Sequence, residues 1–215
     1  PLFFPDDQPL ALDIIDVWLD DGYGLEDLDA SIKTIVDVGG NVGVFSLWAH
    51  HRFPDAAIHV YEPNPAVVPF LEKNVASIAN SKVWPEGVSG AAGHARLELL
   101  DSTRLGQATP DPSGEITLSG LADVIDRIGG SVDLLKLDCE GAEWSIFEDI
   151  ESFASVQRIR MEYHLTDGRT LDDLRNAANR IGFEVTRLKA DDGFGIAFMD
   201  RKPTGPAGTL REFGT

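Results

Sequence analysis

The stretch Asp37-Val38-Gly39-Gly40-Asn41-Val42-Gly43 decides the fold of this chain, because a strand-like run passes directly into a glycine-rich turn there. Residues 35–38 form a short apolar run, and apolar residues recur with helical spacing over residues 44–48. Glycine lets a backbone turn tightly and come close to a ligand, since it carries no Cβ atom. The stretch therefore predicts a ligand-binding loop between a buried strand and a helix.

Strand-like and helical segments alternate along most of the chain. Mainly apolar segments of strand length occur at residues 35–38, 58–61, 134–137, 159–161, 183–185 and 196–199. Helical spacing lies between them, as in the segment that starts at Asn64-Pro65 and the segment that a capping box of Thr170 and Asp173 begins. This alternation predicts an α/β fold with a largely parallel sheet and helices on both faces.

Three regions depart from the alternation. The glycines of residues 87–100 predict an antiparallel hairpin, and the polar stretch 101–113 predicts a loop over one end of the sheet. Residues 10–20 predict an amphipathic helix before the first strand. We expect a single domain over residues 1–200, with residues 1–30 as a helical segment on the substrate side, and a C-terminal tail over 201–215.

The charge of the chain disfavours one class of partner. The formal net charge is −18 at pH 7, and the 18 basic residues are scattered. Because nucleic-acid binding depends on neutralising phosphates with Lys and Arg, we expect no nucleic-acid partner. The sequence has no apolar run of about 18 residues and no signal-peptide pattern, so we expect no membrane contact. The lone Cys139 cannot form an internal disulfide, which favours a cytoplasmic location.

Two residues of the glycine-rich loop distinguish between possible cofactors. The dinucleotide fingerprint is G-x-G-x-x-G, and Asn41 stands where that spacing needs a glycine. Asp37 places a negative charge at the strand end, which would repel a pyrophosphate. S-adenosylmethionine carries a sulfonium and an ammonium, both of which a carboxylate attracts. The loop thus favours S-adenosylmethionine over NAD, although Asp37 also fits a structural role in capping the turn.

Two further segments fit the same cofactor. Glu62 ends the second strand 19 residues after Gly43, where an acidic residue commonly binds the two hydroxyls of a ribose. Val88 and Ser89 lie where a backbone and a small side chain could contact an adenine edge.

At this point the sequence resembles the FkbM family of S-adenosylmethionine-dependent methyltransferases. The matching stretches are residues 35–46, 61–65, 88–89 with Gly93, and 134–143, and the likeness covers about residues 30–165. It implies the Rossmann-like class I methyltransferase fold, with a mostly parallel seven-stranded sheet and an antiparallel last strand. It also implies O-methylation of hydroxyls on natural products or sugars. Gly40 departs from the family, which usually has alanine there.

The segment after the fourth strand supplies the first chemical candidates. Asp138 is the preferred general base or metal ligand, Glu140 is a candidate partner of the cofactor ammonium, and Glu143 suits the positive end of a helix. Glu162 and His164 follow the next strand, and His164 is the alternative base. Asp138 with Glu162 could hold Mg²⁺, so a metal remains an alternative. Candidate cofactor-binding residues are Asp37, Gly39, Gly40, Asn41, Val42, Gly43, Ser46, Glu62, Pro63, Asn64, Val88, Ser89, Asp138, Cys139 and Glu140.

The acceptor expected from the resemblance is a hydroxyl on a small molecule. Transfer to nitrogen, carbon or a carboxylate stays open, as do an NAD-dependent oxidoreductase and a binding module that has lost its activity. Cys139 is interpreted as a packing residue, because the acidic residues beside it would raise the pKa of its thiol. Trp18 and Tyr23 are candidates for the substrate mouth, and Trp18 on an exposed helix could pair subunits into a homo-oligomer.

Overall fold

The computed structural model describes residues 1–7, 10–99, 106–139, 142–190 and 193–202. Within these residues, seven strands form one sheet and four form another. In chain order the strands are β1 (Thr34–Val38), β2 (Ala57–Tyr61), β3 (Ser81–Trp84), β4 (Gly87–Ser89), β5 (Gly93–Leu99), β6 (Gly106–Pro110), β7 (Ile116–Gly120), β8 (Leu134–Leu137), β9 (Arg158–His164), β10 (Phe183–Ala190) and β11 (Phe194–Arg201).

The large sheet has the strand order β10-β11-β9-β8-β1-β2-β3. Its strands from β9 to β3 pair in parallel, whereas β11 pairs antiparallel with both β9 and β10. The predicted mostly parallel sheet with an antiparallel end is thus confirmed. The chain runs from β1 outward through β2 to β3 and returns to β8 on the other side of β1. Strand order therefore reverses between β1 and β8, and ligands bind beyond the carboxyl ends of the strands at such a point.

The helices agree with the predicted pattern in most places. They are α1 (Leu10–Ile14), a π-helical turn (Ile15–Leu19), α2 (Val44–Arg52), α3 (Val68–Val75), α4 (Leu121–Arg127), α5 (Glu143–Ile146), a 3₁₀ turn (Ser152–Ser155) and α6 (Leu171–Arg180). The capping box of Thr170 and Asp173 at the start of α6 is confirmed. The helix predicted from Asn64 begins later, at Val68. Proline is tolerated in a first turn, where its missing N–H is not needed, and the late start places Pro69 there.

The small sheet corrects two predictions. The expected hairpin over residues 87–100 is wrong, because β4 pairs in parallel with β7 while β5 pairs antiparallel with β6 and β7. The expected loop over 101–113 is wrong for Gly106–Pro110, which forms β6; residues 100–105 lie outside the described part of the chain. Pairing between strands distant in sequence overrides the local glycine and proline signals in both cases.

Apolar side chains bury both faces of the large sheet. On one face, Val124 of α4 and Ala177 of α6 pack with strand residues such as Leu135. On the other, Phe45 of α2 and Leu71 of α3 pack with strand residues. The strand ends are therefore the accessible edge of the sheet, in agreement with the expected three-layer fold. Among the described residues, every helix is too short or too polar to cross a membrane.

Candidate active site

A cavity of about 890 Å³ lies at the carboxyl edge of the large sheet. Its volume falls within the range of about 300–1,000 Å³ that is usual for small-molecule and cofactor sites. Most of the residues predicted from sequence converge on it. Those that line it are Gly39, Gly40, Asn41, Val42, Glu62, Pro63, Asn64, Val88, Ser89, Asp138, Cys139, Glu162 and His164. Gly43, Asp37 and Ser46 are not among the lining residues, and Glu140 lies outside the described residues.

The glycine-rich loop is held in its conformation by close backbone contacts. Gly39 has a φ of 75°, and a Cβ added to it would lie 1.7 Å from the carbonyl oxygen of Asp138. Asn41 also adopts a left-handed conformation, with a φ of 45°, which asparagine tolerates better than most residues. The N–H groups of Gly39 and Gly40 donate to the carbonyl oxygen of Tyr61 at 2.9 and 3.0 Å. The loop is thus tied to the ends of β2 and β8.

Glu62 holds both sides of the cavity wall together. Its Oε2 accepts the N–H of Asn41 and its Oε1 accepts the N–H of Asn64, each at 2.8 Å. The side chain is buried, and burial raises the pKa of the carboxyl to about 7 although these two hydrogen bonds and Lys136 oppose the rise. A carboxylate offers about four acceptor positions, so Glu62 retains acceptor capacity for hydroxyl donors in the cavity.

Asp37 lies behind the loop rather than in the cavity wall. Its carboxylate is fully buried and accepts a hydrogen bond from Ser46 Oγ at 2.6 Å. The Lys136 Nζ lies 3.2 Å from Asp37 Oδ1 and 3.2 Å from Asp138 Oδ2. The same ammonium donates to the Gly39 carbonyl oxygen at 2.6 Å. The negative charge of Asp37 is therefore compensated inside the protein, and a cofactor cation is not its nearest partner.

Lys136 is a residue of the site that the sequence reasoning missed. It is 3% exposed in a strand whose other residues are apolar. A buried ammonium requires a negatively charged or hydrogen-bonding partner. A lysine inside an apolar strand therefore could have indicated a buried ion pair in the site. Burial would lower its pKa, but Asp138 and Asp37 together raise it, so the residue stays charged. Its ion pairs make it the cation that joins β1 to β8.

Asp138 is surrounded by hydrogen-bonding groups. The Tyr23 hydroxyl donates to Asp138 Oδ2 at 3.1 Å, and that tyrosine lines the cavity. Burial would raise the pKa of Asp138, but the Lys136 charge and hydrogen bonds with Glu162, Lys136 and Tyr23 hold it below its usual value. Burial and the charge of Asp138 raise the pKa of Tyr23 well above its usual value. Asp138 is consequently a carboxylate and a weak proton acceptor.

His164 reaches the cavity from the end of β9 and meets the start of α5. Its Nδ1 lies 3.5 Å from Oε1 of Glu143, which is fully buried. The Trp144 Nε1 donates to the His164 carbonyl oxygen at 3.0 Å. The N–H of Cys139 donates to Glu143 Oε1 at 3.1 Å. These contacts connect the carboxyl ends of two neighbouring strands beside the cavity.

The metal site expected from Asp138 and Glu162 receives no support from the geometry. The described residues contain no group of three or more His, Cys, Asp or Glu side chains arranged to hold a metal ion. The cation beside Asp138 in the structure is the Lys136 ammonium.

Further parts of the cavity wall come from the N-terminal segment, the small sheet and the β10–β11 hairpin. Asp16 and Asp20 line it from the N-terminal side, and Phe194 and Ile196 line it from β11. Trp18 does not line it. Its ring packs against Trp48 at 5.4 Å between centroids, and its Nε1 donates to the carbonyl oxygen of Val44.

Comparison with known proteins identifies similar chains. Residues 37–185 match the family described as the methyltransferase FkbM domain. Methyltransferase sdnD of Sordaria araneosa is 26% identical, over 82% of this chain and 83% of that protein. The 31-O-demethyl-FK506 methyltransferase FkbM of Streptomyces tacrolimicus is 27% identical, over 62% of this chain and 66% of that protein.

Solved structures share the fold at low sequence identity. Precorrin-6y C5,15-methyltransferase from Geobacter metallireducens has a TM-score of 0.56 at 12% identity, covering 94% of each chain. Ribosomal protein L11 methylase from Lactobacillus delbrueckii subsp. bulgaricus has a TM-score of 0.52 at 12% identity, covering 84% of this chain and 76% of that one. At these identities the likeness concerns the fold alone.

Proposed function

Because this chain belongs to the FkbM family of S-adenosylmethionine-dependent methyltransferases, we propose that it methylates a hydroxyl group of a small molecule, a natural product or a sugar. The observation that carries the proposal is a proton acceptor, His164, in the wall of the same cavity as the cofactor loop. An alcohol must lose its proton as it is methylated, and an imidazole accepts a proton near neutral pH. The name of the FK506 methyltransferase relative, which specifies an oxygen, points in the same direction.

The cofactor wall is assigned to the residues around the glycine-rich loop. Glu62 would accept hydrogen bonds from the ribose hydroxyls, since it lines the cavity and is already held by the backbone N–H groups of Asn41 and Asn64. Val88 and Ser89 would contact the adenine edge. When bound, S-adenosylmethionine supplies an activated methyl group on a sulfonium. Asp37 would contribute indirectly, by holding Lys136 beneath the loop.

Of the two candidate bases, His164 fits the reaction better. The lowered pKa of Asp138 makes that carboxylate a poor proton acceptor. Its Oδ2 already accepts a hydrogen bond from Tyr23 and forms an ion pair with Lys136. We therefore assign the base role to His164 and an electrostatic and positioning role to Asp138. The reaction as proposed needs no Mg²⁺, since Lys136 provides the positive charge at this edge of the sheet.

The test begins with binding and continues with an acceptor screen. Calorimetric titration with S-adenosylhomocysteine should give a micromolar dissociation constant, while NAD⁺ should not bind. Methyl-labelled S-adenosylmethionine is then offered with sugars, phenols and aliphatic alcohols, and in parallel with amines and carboxylic acids, with and without Mg²⁺. We expect label on hydroxyl oxygens, independent of Mg²⁺. Label confined to nitrogen, carbon or carboxylates would reject O-methylation, and binding of NAD⁺ alone would contradict the cofactor assignment.

The raised pKa of Glu62 predicts a pH dependence of cofactor binding. Ribose hydroxyls donate best to the ionised carboxylate, so the cofactor binds preferentially to the protein in which Glu62 is ionised. Where Glu62 is protonated before binding, its proton must therefore be released when the cofactor binds. Because the pKa in the free protein is about 7, affinity for S-adenosylhomocysteine should rise with pH up to that value and then level off. We expect binding about tenfold weaker near pH 6 than near pH 8, which is the change in ionised fraction.

The Glu62→Gln variant is the matched control for this dependence. Glutamine has nearly the same shape but does not ionise over this range, so its weaker binding should be flat between the two pH values. A wild-type affinity that is equally flat, or that rises as pH falls, would contradict the ribose role of Glu62.

A further inference from the structure

We propose that Glu143 is a positioning residue that orients the His164 imidazole, with Nδ1 toward its carboxylate and Nε2 toward the acceptor hydroxyl. The proposal rests on the proposed function, in which His164 removes the hydroxyl proton. It assigns to Glu143 a role that differs from the expected favourable charge at a helix start.

The topology of the sheet brings the two residues together. β8 and β9 are parallel neighbours, so their carboxyl ends lie side by side at the cavity edge. Glu143 opens the short helix that follows β8, and His164 is the last residue of β9. Glu143 Oε1 and His164 Nδ1 are 3.5 Å apart. Catalytic hydrogen bonds are often this long in a protein without substrate and shorten in the complex.

The burial of Glu143 argues against a simple helix-capping role. The side chain has no solvent exposure, its Oε1 accepts the N–H of Cys139, and its Oε2 is buried without a hydrogen-bond partner among the described residues. A charge that only favours a helix start can stay in water, as the exposed Asp172 does in α6. Moreover, α5 has four residues and offers little dipole. The burial of the Glu143 carboxylate is better explained by its interaction with the neighbouring His164 imidazole.

A second contact holds the backbone of the histidine. Trp144, next to Glu143 in the helix, donates from Nε1 to the His164 carbonyl oxygen at 3.0 Å. The Arg169 guanidinium lies 4.3 Å from the centre of the Trp144 ring. With the main chain of His164 held in this way, the contact with Glu143 determines which ring nitrogen faces the cavity.

The arrangement defines the path of the proton. A neutral imidazole has one N–H, and donating it from Nδ1 to the carboxylate leaves the acceptor lone pair on Nε2. As the new oxygen–methyl bond forms and the methyl–sulfur bond breaks, the hydroxyl proton passes to Nε2. The imidazolium, stabilised by the Glu143 carboxylate, then releases this proton to water. The products are the methyl ether and S-adenosylhomocysteine.

The first test needs no acceptor. ¹⁵N NMR of histidine-labelled protein, with His164 assigned by the His164→Asn variant, reports which ring nitrogen carries the proton in the neutral imidazole. We expect the Nδ1–H form in the wild type and a mixture of both forms in Glu143→Gln. A wild-type imidazole protonated on Nε2 would overturn the proposal, even if the variant failed to fold.

The second test is a double-mutant cycle on turnover with a hydroxyl acceptor. Glu143→Gln should lower kcat by about 10–100-fold, the usual effect of removing such a supporting partner, with the acceptor KM and S-adenosylhomocysteine affinity nearly unchanged. In the His164→Asn background the same change should have no further effect on kcat, because Glu143 acts through His164. An equal loss in both backgrounds would indicate a structural role. Glu148→Gln, an exposed change near the same helix, is the control.

If the wild type methylates no hydroxyl acceptor, the proposed function fails, whereas the NMR result still decides the role of Glu143.

Discussion

Replacing His164 by asparagine is expected to lower methyl transfer to hydroxyl acceptors by about 10²–10⁴-fold, the range for losing a general base. Asparagine keeps a polar side chain at the cavity wall but cannot accept the hydroxyl proton near neutral pH. Because the proposed arrangement assigns cofactor binding to the glycine-rich loop and Glu62 and not to His164, the affinity for S-adenosylhomocysteine should stay within a few-fold of wild type. Single-turnover measurements of labelled methyl transfer would report the chemical step itself.

Two matched variants make this result specific. His94→Asn changes an exposed histidine of β5 that does not line the cavity, and it should keep wild-type turnover. Asp138→Asn tests the alternative base directly. Near-normal turnover in His164→Asn together with a large loss in Asp138→Asn would return the base role to Asp138.

Replacing Lys136 by methionine is expected to lower the free energy of unfolding by about 3–5 kcal/mol. The ammonium lies 3.2 Å from both the buried Asp37 and Asp138, and removing it leaves both carboxylates without their shared cation. Methionine fills a similar volume, so the loss would come from charge rather than from a cavity. For a domain of this size the melting temperature should fall by roughly 6–20 °C. Denaturant unfolding and calorimetry would measure both quantities.

The double variant Asp37→Asn with Lys136→Met should be more stable than Lys136→Met alone, because it removes one of the stranded charges. Lys33→Met serves as the exposed control, since Lys33 pairs with Asp55 at the surface and should contribute no more than about 1 kcal/mol. A loss below about 1 kcal/mol in Lys136→Met would show that Asp37 and Asp138 do not depend on this cation.

Much of the fold and of the cavity wall was predictable from the sequence, because the signals are local. The turn at Gly39 needs a residue without a Cβ atom, and the alternation of apolar runs with helical stripes predicts the layered sheet. The capping box of Thr170 and Asp173 likewise depends on only four consecutive residues. The position of Glu62 at a strand end follows from the same pattern, since the carboxyl ends of parallel strands share one edge.

The pairings inside the site depend on the tertiary structure. Asp37 lies opposite Lys136 in the pairing of β1 with β8, and no local sequence pattern predicts that these two strands are neighbours. Tyr23 and Asp138 are 115 residues apart in sequence, yet a hydrogen bond joins them. The strand formed by Gly106–Pro110 exists because β5 offers it an edge, although its sequence suggests a loop.

The sequence by itself thus determined most of the strands and helices and the place of the glycine-rich loop, because turns, caps and apolar spacing act between near neighbours. Only the tertiary structure decided that Asp37 is compensated by Lys136, that Asp138 is held as a weak base, and that His164 meets Glu143. These properties of the charged residues follow from strand order and burial, which depend on packing over the whole chain. Strand order and burial in turn determine the dielectric surroundings and the partner of each charge.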